Sequence, residues 1–129
     1  MSKHTLVVSL TLLAVIHSGC ASKRLTKGSY QINKTQTGFN KPGVVYGAVY
    51  EYGTKLPATV PRVYIARELQ AKADPRSGEY TFTIKPGRYR FTGRAMSYYP
   101  VKTSKIKVHI GDSLRIDFYL RLDETPLID

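Results

Sequence analysis

The chain predicts an all-β domain, a small antiparallel sandwich of seven strands behind a signal segment and a flexible linker. Three observations predict it. Apolar residues recur at every second position in segment after segment between Val44 and Leu122, the period of a half-buried strand. Groups of Gly, Pro, Asp and Ser interrupt those segments roughly every 8 to 12 residues, as in small sandwiches. No segment carries a sustained helical period.

Residues 1–19 place Lys3 and His4 before a mostly apolar run from Leu6 to Ile16, followed by the small Ser18 and Gly19. This is the layout of a secretory signal. The run is too short for the ~20 residues of a bilayer-spanning helix, which predicts a cleaved segment. Cys20 is the only cysteine, so no disulfide can close within the chain, and the Cys/His spacings of zinc sites are absent. Residues 20–43 hold five Lys or Arg, no acid and no regular apolar period. They predict a basic linker with an end-to-end distance on the order of 25 Å.

The domain occupies residues 44–122. Its expected strands begin with Val44 to Tyr52, Arg62 to Ala66 and Gln70 to Ala73, the third closing at Asp74-Pro75-Arg76-Ser77-Gly78. Tyr80, Phe82 and Ile84 then alternate with Glu79, Thr81, Thr83 and Lys85, and Tyr89, Phe91, Gly93 and Ala95 with Arg88, Arg90, Thr92 and Arg94. Between them Pro86-Gly87 fits a type II turn, Pro fixing φ and Gly accepting the positive φ that follows. Ile106, Val108 and Ile110 make the sixth strand, Gly111-Asp112-Ser113 turns the chain, and Leu114, Ile116, Phe118, Leu120 and Leu122 make the seventh. Residues 123–129 form an acidic tail.

Two stretches resemble known families. Ser18-Gly19-Cys20 resembles the lipobox of bacterial lipoproteins, although His17 stands where that family usually has Leu. The resemblance implies cleavage before Cys20, covalent lipid on its sulfur and, with Ala21 rather than Asp next, residence in the outer membrane facing the periplasm. From Val45-Tyr46-Gly47-Ala48-Val49 through Leu56-Pro57, Val63-Tyr64-Ile65, Gly78-Glu79-Tyr80-Thr81-Phe82 and Pro86-Gly87-Arg88-Tyr89 to Ile116-Asp117-Phe118-Tyr119-Leu120, the chain is similar to the carboxypeptidase regulatory-like domain. That resemblance implies a transthyretin-like β-sandwich. Where the family commonly has Gly-Tyr, this chain has Ser97-Tyr98.

Twenty Lys plus Arg against nine Asp plus Glu leave a formal charge of +11, which favours anionic surfaces. Chemistry is harder to find. Cleavage at Cys20 removes His4 and His17 and leaves His109 as the only histidine, too few imidazoles for a triad or a zinc site built on several. The carboxylates Asp74 and Asp112 belong to turns, Glu79 and Asp117 are expected to face solvent beside basic residues, and Gly87, Gly93 and Gly111 are isolated rather than phosphate-binding. The sequence therefore predicts no enzyme, no metal and no cofactor beyond lipid on Cys20; a hydrolase or ligand-processing protein is the weaker alternative. If the resemblance fixes strand order, Arg90, Arg94, Lys105, Lys107 and His109 form a basic face beside Arg62 and Tyr64. The other sheet shows Tyr46, Tyr50, Tyr52 and Tyr119 with Arg115 and Arg121. The expected partners are the membrane through the lipid anchor and an envelope protein or acidic polymer, with no nucleic acid for an exported chain. A transthyretin-like outer-membrane lipoprotein of a secretion system is the alternative within the same class.

Overall fold

A computed structural model describes residues 27–36 and 38–124. The signal segment 1–19, Cys20 and the last five residues of the tail lie outside the described residues. Among those described there is no helix; the strands are β1 (Ser29–Gln36), β2 (Gly43–Glu51), β3 (Arg62–Ile65), β4 (Glu68–Lys72), β5 (Glu79–Ile84), β6 (Gly87–Tyr89), β7 (Phe91–Arg94), β8 (Val101–Lys102), β9 (Ile106–Val108) and β10 (Asp112–Leu120). One sheet has the order β1-β10-β2-β5, a second β4-β3-β7-β8, and β6 pairs with β9. The arrangement is sandwich-like and mostly antiparallel.

The sheets close over one core. Alternate residues of β2 and β10, Val45, Val49, Leu114, Ile116, Phe118 and Leu120, are fully buried with Val63 of β3 and Phe91 of β7. Each such side chain contributes about 1.5–3 kcal/mol relative to exposure. Gly93 on β7 lies directly against the Phe118 ring, so a side chain there would push the sheets apart. Tyr80 spans the first sheet above Gly47, its hydroxyl donating to the Ile116 carbonyl at 2.6 Å. Gly47 holds φ at 151° with Ile116 O where a Cβ would project, so β2 tolerates only glycine there.

Four expectations need correction. Ten strands stand where seven were expected, because the Arg88–Ala95 strand divides at Arg90 into β6 and β7, the residues before Ile106 contribute β8, and β1 is additional. β1 lies inside the expected linker. It pairs antiparallel with β10 from Ser29 opposite Tyr119 to Gln36 opposite Asp112, and apart from half-buried Tyr30 its residues are exposed. Backbone pairing along a free edge makes this strand, so it leaves no apolar period. The sheet is also not wholly antiparallel, since β10 and β2 run parallel, Ser113 opposite Val44 through Leu120 opposite Glu51.

The fourth correction concerns turns and strand ends. Gly87 has φ of 159°, nearly extended rather than type II. The corner is closed instead by the Tyr89 hydroxyl donating to Lys85 O at 2.7 Å. The sixth strand stops at Val108 and the last at Leu120, leaving Ile110 and Leu122 exposed. The Asp74–Gly78 turn forms as expected: Asp74 Oδ1 accepts Arg76 N–H at 2.7 Å and Gly78 takes φ of 79°.

Candidate functional site

The parallel register of β2 and β10 builds one face residue by residue. Tyr46 stands opposite Arg115, Ala48 opposite Asp117 and Tyr50 opposite Tyr119. Because successive side chains alternate between faces, these three pairs share the outer side of the first sheet. The Tyr50 and Tyr119 rings lie 5.6 Å apart, tilted by 30°. The row continues past the strand ends, where the Arg121 guanidinium sits 3.8 Å from the Tyr52 ring centroid. Lys55, which the sequence did not single out, adds its ammonium 5.7 Å from the Tyr50 centroid. All six residues expected on this face come together.

Asp117 corrects its expected place in solvent. It is 8 % exposed, accepting the Ala48 N–H at 3.0 Å and pairing with Arg115 Nε at 3.2 Å. Burial and this carboxylate together raise the phenols of Tyr80 and Tyr119, which keeps both protonated. Arg115 is half exposed and borders two open clefts. One, of about 1010 Å³, includes Tyr46, Asp74, Arg76 and Glu79. The other, of about 540 Å³, includes Gln31, Asn33, Lys55 and Tyr119.

The basic face is assembled only in part. Arg62 on β3 stands opposite Arg94 on β7, and the Arg94 guanidinium lies 5.7 Å from the Tyr64 ring centroid. On the other side of Arg62 stands Lys72 of β4, which sequence reasoning missed because a bulge between Val63 and Tyr64 sets that register. Three cations thus cross three neighbouring strands side by side, and among the described residues none is in an ion pair. Like charges opposite one another destabilise a sheet. Further along, Lys107 stands opposite Arg88, and Arg90 and Lys105 lie exposed between strands.

His109 leaves this face. It lies in the turn beyond β9, where its backbone N–H donates to Asp112 Oδ2 at 2.7 Å and its ring Nδ1 lies 3.3 Å from the same oxygen. Lys34 adds its ammonium at 3.6 Å. Burial alone would raise the Asp112 carboxyl, but the His109 N–H, Lys34 and the imidazole outweigh it and hold the group below the usual carboxylate value. Among the described residues no group of three or more His, Cys, Asp or Glu is placed to share a metal ion. No family model and no curated protein matches the chain.

Proposed function

We propose that this chain is a membrane-anchored envelope lipoprotein whose sandwich is a non-enzymatic binding module for a protein partner. The anchor is lipid on Cys20, the location the outer membrane facing the periplasm, and the finer fold the transthyretin-like, carboxypeptidase regulatory-like sandwich. Two apposed sheets with the turn and core residues quoted above support that fold.

One observation carries the binding role: the row in which Tyr46 and Arg115, Tyr50 and Tyr119, and Tyr52 and Arg121 lie together on one sheet face. Tyrosine and arginine concentrate binding energy at interfaces, because each gives large contact area with a polar end. Tyr46, Tyr50, Arg115 and Tyr119 sit on the central strands β2 and β10, a rigid base before any partner arrives, which lowers the ordering cost of association. Arg115 between two clefts gives an acidic group on the partner a place to enter.

Photo-crosslinking from position 50 in intact cells tests this reading. A discrete protein adduct that weakens in the Arg115→Ala variant is expected; adducts to bulk lipid alone would sink it. If deletion of the protein also abolishes secretion, the partner belongs to a secretion machine. Separately, Cys20→Ala should lose both acyl label and membrane retention.

An acidic envelope polymer is the second reading, favoured by Arg88 facing Lys107 beside exposed Arg90 and Lys105. Retention on an anionic glycan column that falls as salt rises would support it, since exposed charge contacts are screened.

A further inference from the structure

The two ends of the sandwich differ. At one lie the start of β1, the ends of β2 and β10, and the loops 52–61 and 95–100; at the other lie residues 38–42, 66–67, 85–86 and 109–111. Hydrogen bonds tie the first end together: Met96 N–H to Thr59 O at 2.8 Å, Ala73 N–H to Pro61 O at 3.0 Å, and a bridge between Tyr98 and Leu122. Both ends display apolar side chains, Phe39 and Ile110 at the second, and at the first they are the more numerous. Leu56 and Met96 are each 61 % exposed, Tyr52 and Val60 are exposed on the loop that carries Leu56, and Leu122 is exposed just beyond β10.

Val60 holds φ of 50° and Ser97 φ of 70°, a left-handed backbone that costs about 1–2 kcal/mol in a residue with a side chain. Val60 is therefore held out at a cost, as is Ala66 with φ of 55° at the other end. Immediately behind Val60 and Met96 runs the row of Lys72, Arg62 and Arg94. Asp74, the carboxylate nearest Lys72 in sequence, accepts the Arg76 N–H within its own loop, while Asp123, whose N–H donates to Ser97 O at 2.8 Å, brings the start of the acidic tail to the loop of Met96.

The chain enters the fold at this same end. Ser29 stands opposite Tyr119, and Lys27 lines a hollow with Tyr99, Pro100 and Lys102. Between Cys20 and Lys27 the backbone can span at most about 25 Å, less than the ~30 Å length of a nine-residue strand. An anchor on Cys20 therefore holds the entry end within about 25 Å of the bilayer, a limit that does not apply to the far end. Apolar tips ahead of a cation row suit an anionic membrane, the tips entering below the headgroups and the cations meeting the phosphates.

We infer that this end docks on an anionic bilayer, with Leu56 and Met96 in the acyl boundary and Lys72, Arg62 and Arg94 at the phosphates. The inference rests on the lipid-anchor reading and adds an orientation to it. The tyrosine–arginine row then runs up from the membrane, Tyr52 lowest and Tyr46 highest.

The chain has no tryptophan, so single reporters can be read without background. The acylated mature protein carrying Leu56→Trp, Met96→Trp or, at the opposite end, Phe39→Trp is reconstituted in phosphatidylethanolamine vesicles containing phosphatidylglycerol with brominated acyl chains. Leu56→Trp and Met96→Trp should shift to the blue and lose most of their emission. Phe39→Trp, at a position 85 % exposed, should do neither. Replacing Arg62, Lys72 and Arg94 with Gln should reduce the quenching of Met96→Trp. Water-like emission from both loop reporters, with acyl mass present on Cys20, overturns the docking and leaves the anchor standing. An unmodified Cys20 overturns the anchor and this inference with it.

Discussion

Tyr80 and Asp117 hold the distorted middle of the first sheet. At Gly47 and Ala48 the parallel ladder is locally replaced: the Ala48 N–H goes to Asp117 Oδ1 and the Ile116 carbonyl receives the Tyr80 hydroxyl. Tyr80→Phe removes one buried bond without leaving a cavity and should cost about 1–2 kcal/mol in urea unfolding. Asp117→Ala strands a buried N–H and should cost about 1–3 kcal/mol, with Asp117→Asn losing less because an amide oxygen can still accept. Equal losses for Ala and Asn would show that the Arg115 ion pair, not the Ala48 bond, is what matters. The sequence placed Tyr80 on the core side but put Asp117 in solvent, because strand alternation distinguishes two faces and does not reveal a backbone distortion that buries a carboxylate on the outer one. Ser97 is the converse case. Its departure from the glycine common in the resembling family is visible in the sequence, and it marks a position with positive φ.

At the scale of strands, β1 and β10 could hardly differ more. β10 buries alternate residues fully, whereas β1 exposes nearly all of its side chains and joins the fold through one ladder of backbone bonds. Segments with little apolar burial open before the global transition. Hydrogen exchange should therefore be faster at β1 amides bonded to β10 than at β2 amides bonded to the same strand, and matching protection in β1 and β2 would contradict this. Strands that contribute to the core were legible because burial writes a period into the residue choice: Tyr80-Phe82-Ile84 and Leu114-Ile116-Phe118-Leu120 fall where expected. β1 was not legible, because a polar edge strand is specified by the partner it completes. Register was equally hidden. The tyrosine–arginine face assembled because its residues alternate along two strands whose pairing is in step, while Lys72 joined Arg62 only through a bulge that no periodicity announces, and His109 was lost to a turn fixed by Asp112.

For the whole molecule, two buried groups contribute to the pH dependence of stability. The Asp112 carboxyl is depressed in the folded state, so its contribution is complete above the unfolded-chain value of about 3.9 and is lost as pH falls through the lower folded value. The Tyr80 phenol is raised by burial and by Asp117. Its contribution is complete below about 10 and is lost as pH climbs toward the folded value. Urea midpoints against pH should flatten on the acid limb in Asp112→Asn and on the alkaline limb in Tyr80→Phe, and an unaltered acid limb in the former would remove Asp112 from the account.

Chain order adds a temporal consequence to the strand map. β1 pairs only with β10, and β2 needs β10 along one of its edges, yet β10 is the last of the described strands to be made. A growing polypeptide of this sequence has nothing to complete its first sheet until residues 112–120 have left the ribosome, and contacts this distant in sequence also form slowly. Such a chain lacks its first sheet for most of its synthesis, and the core that β2 and β10 share closes only in the final stretch.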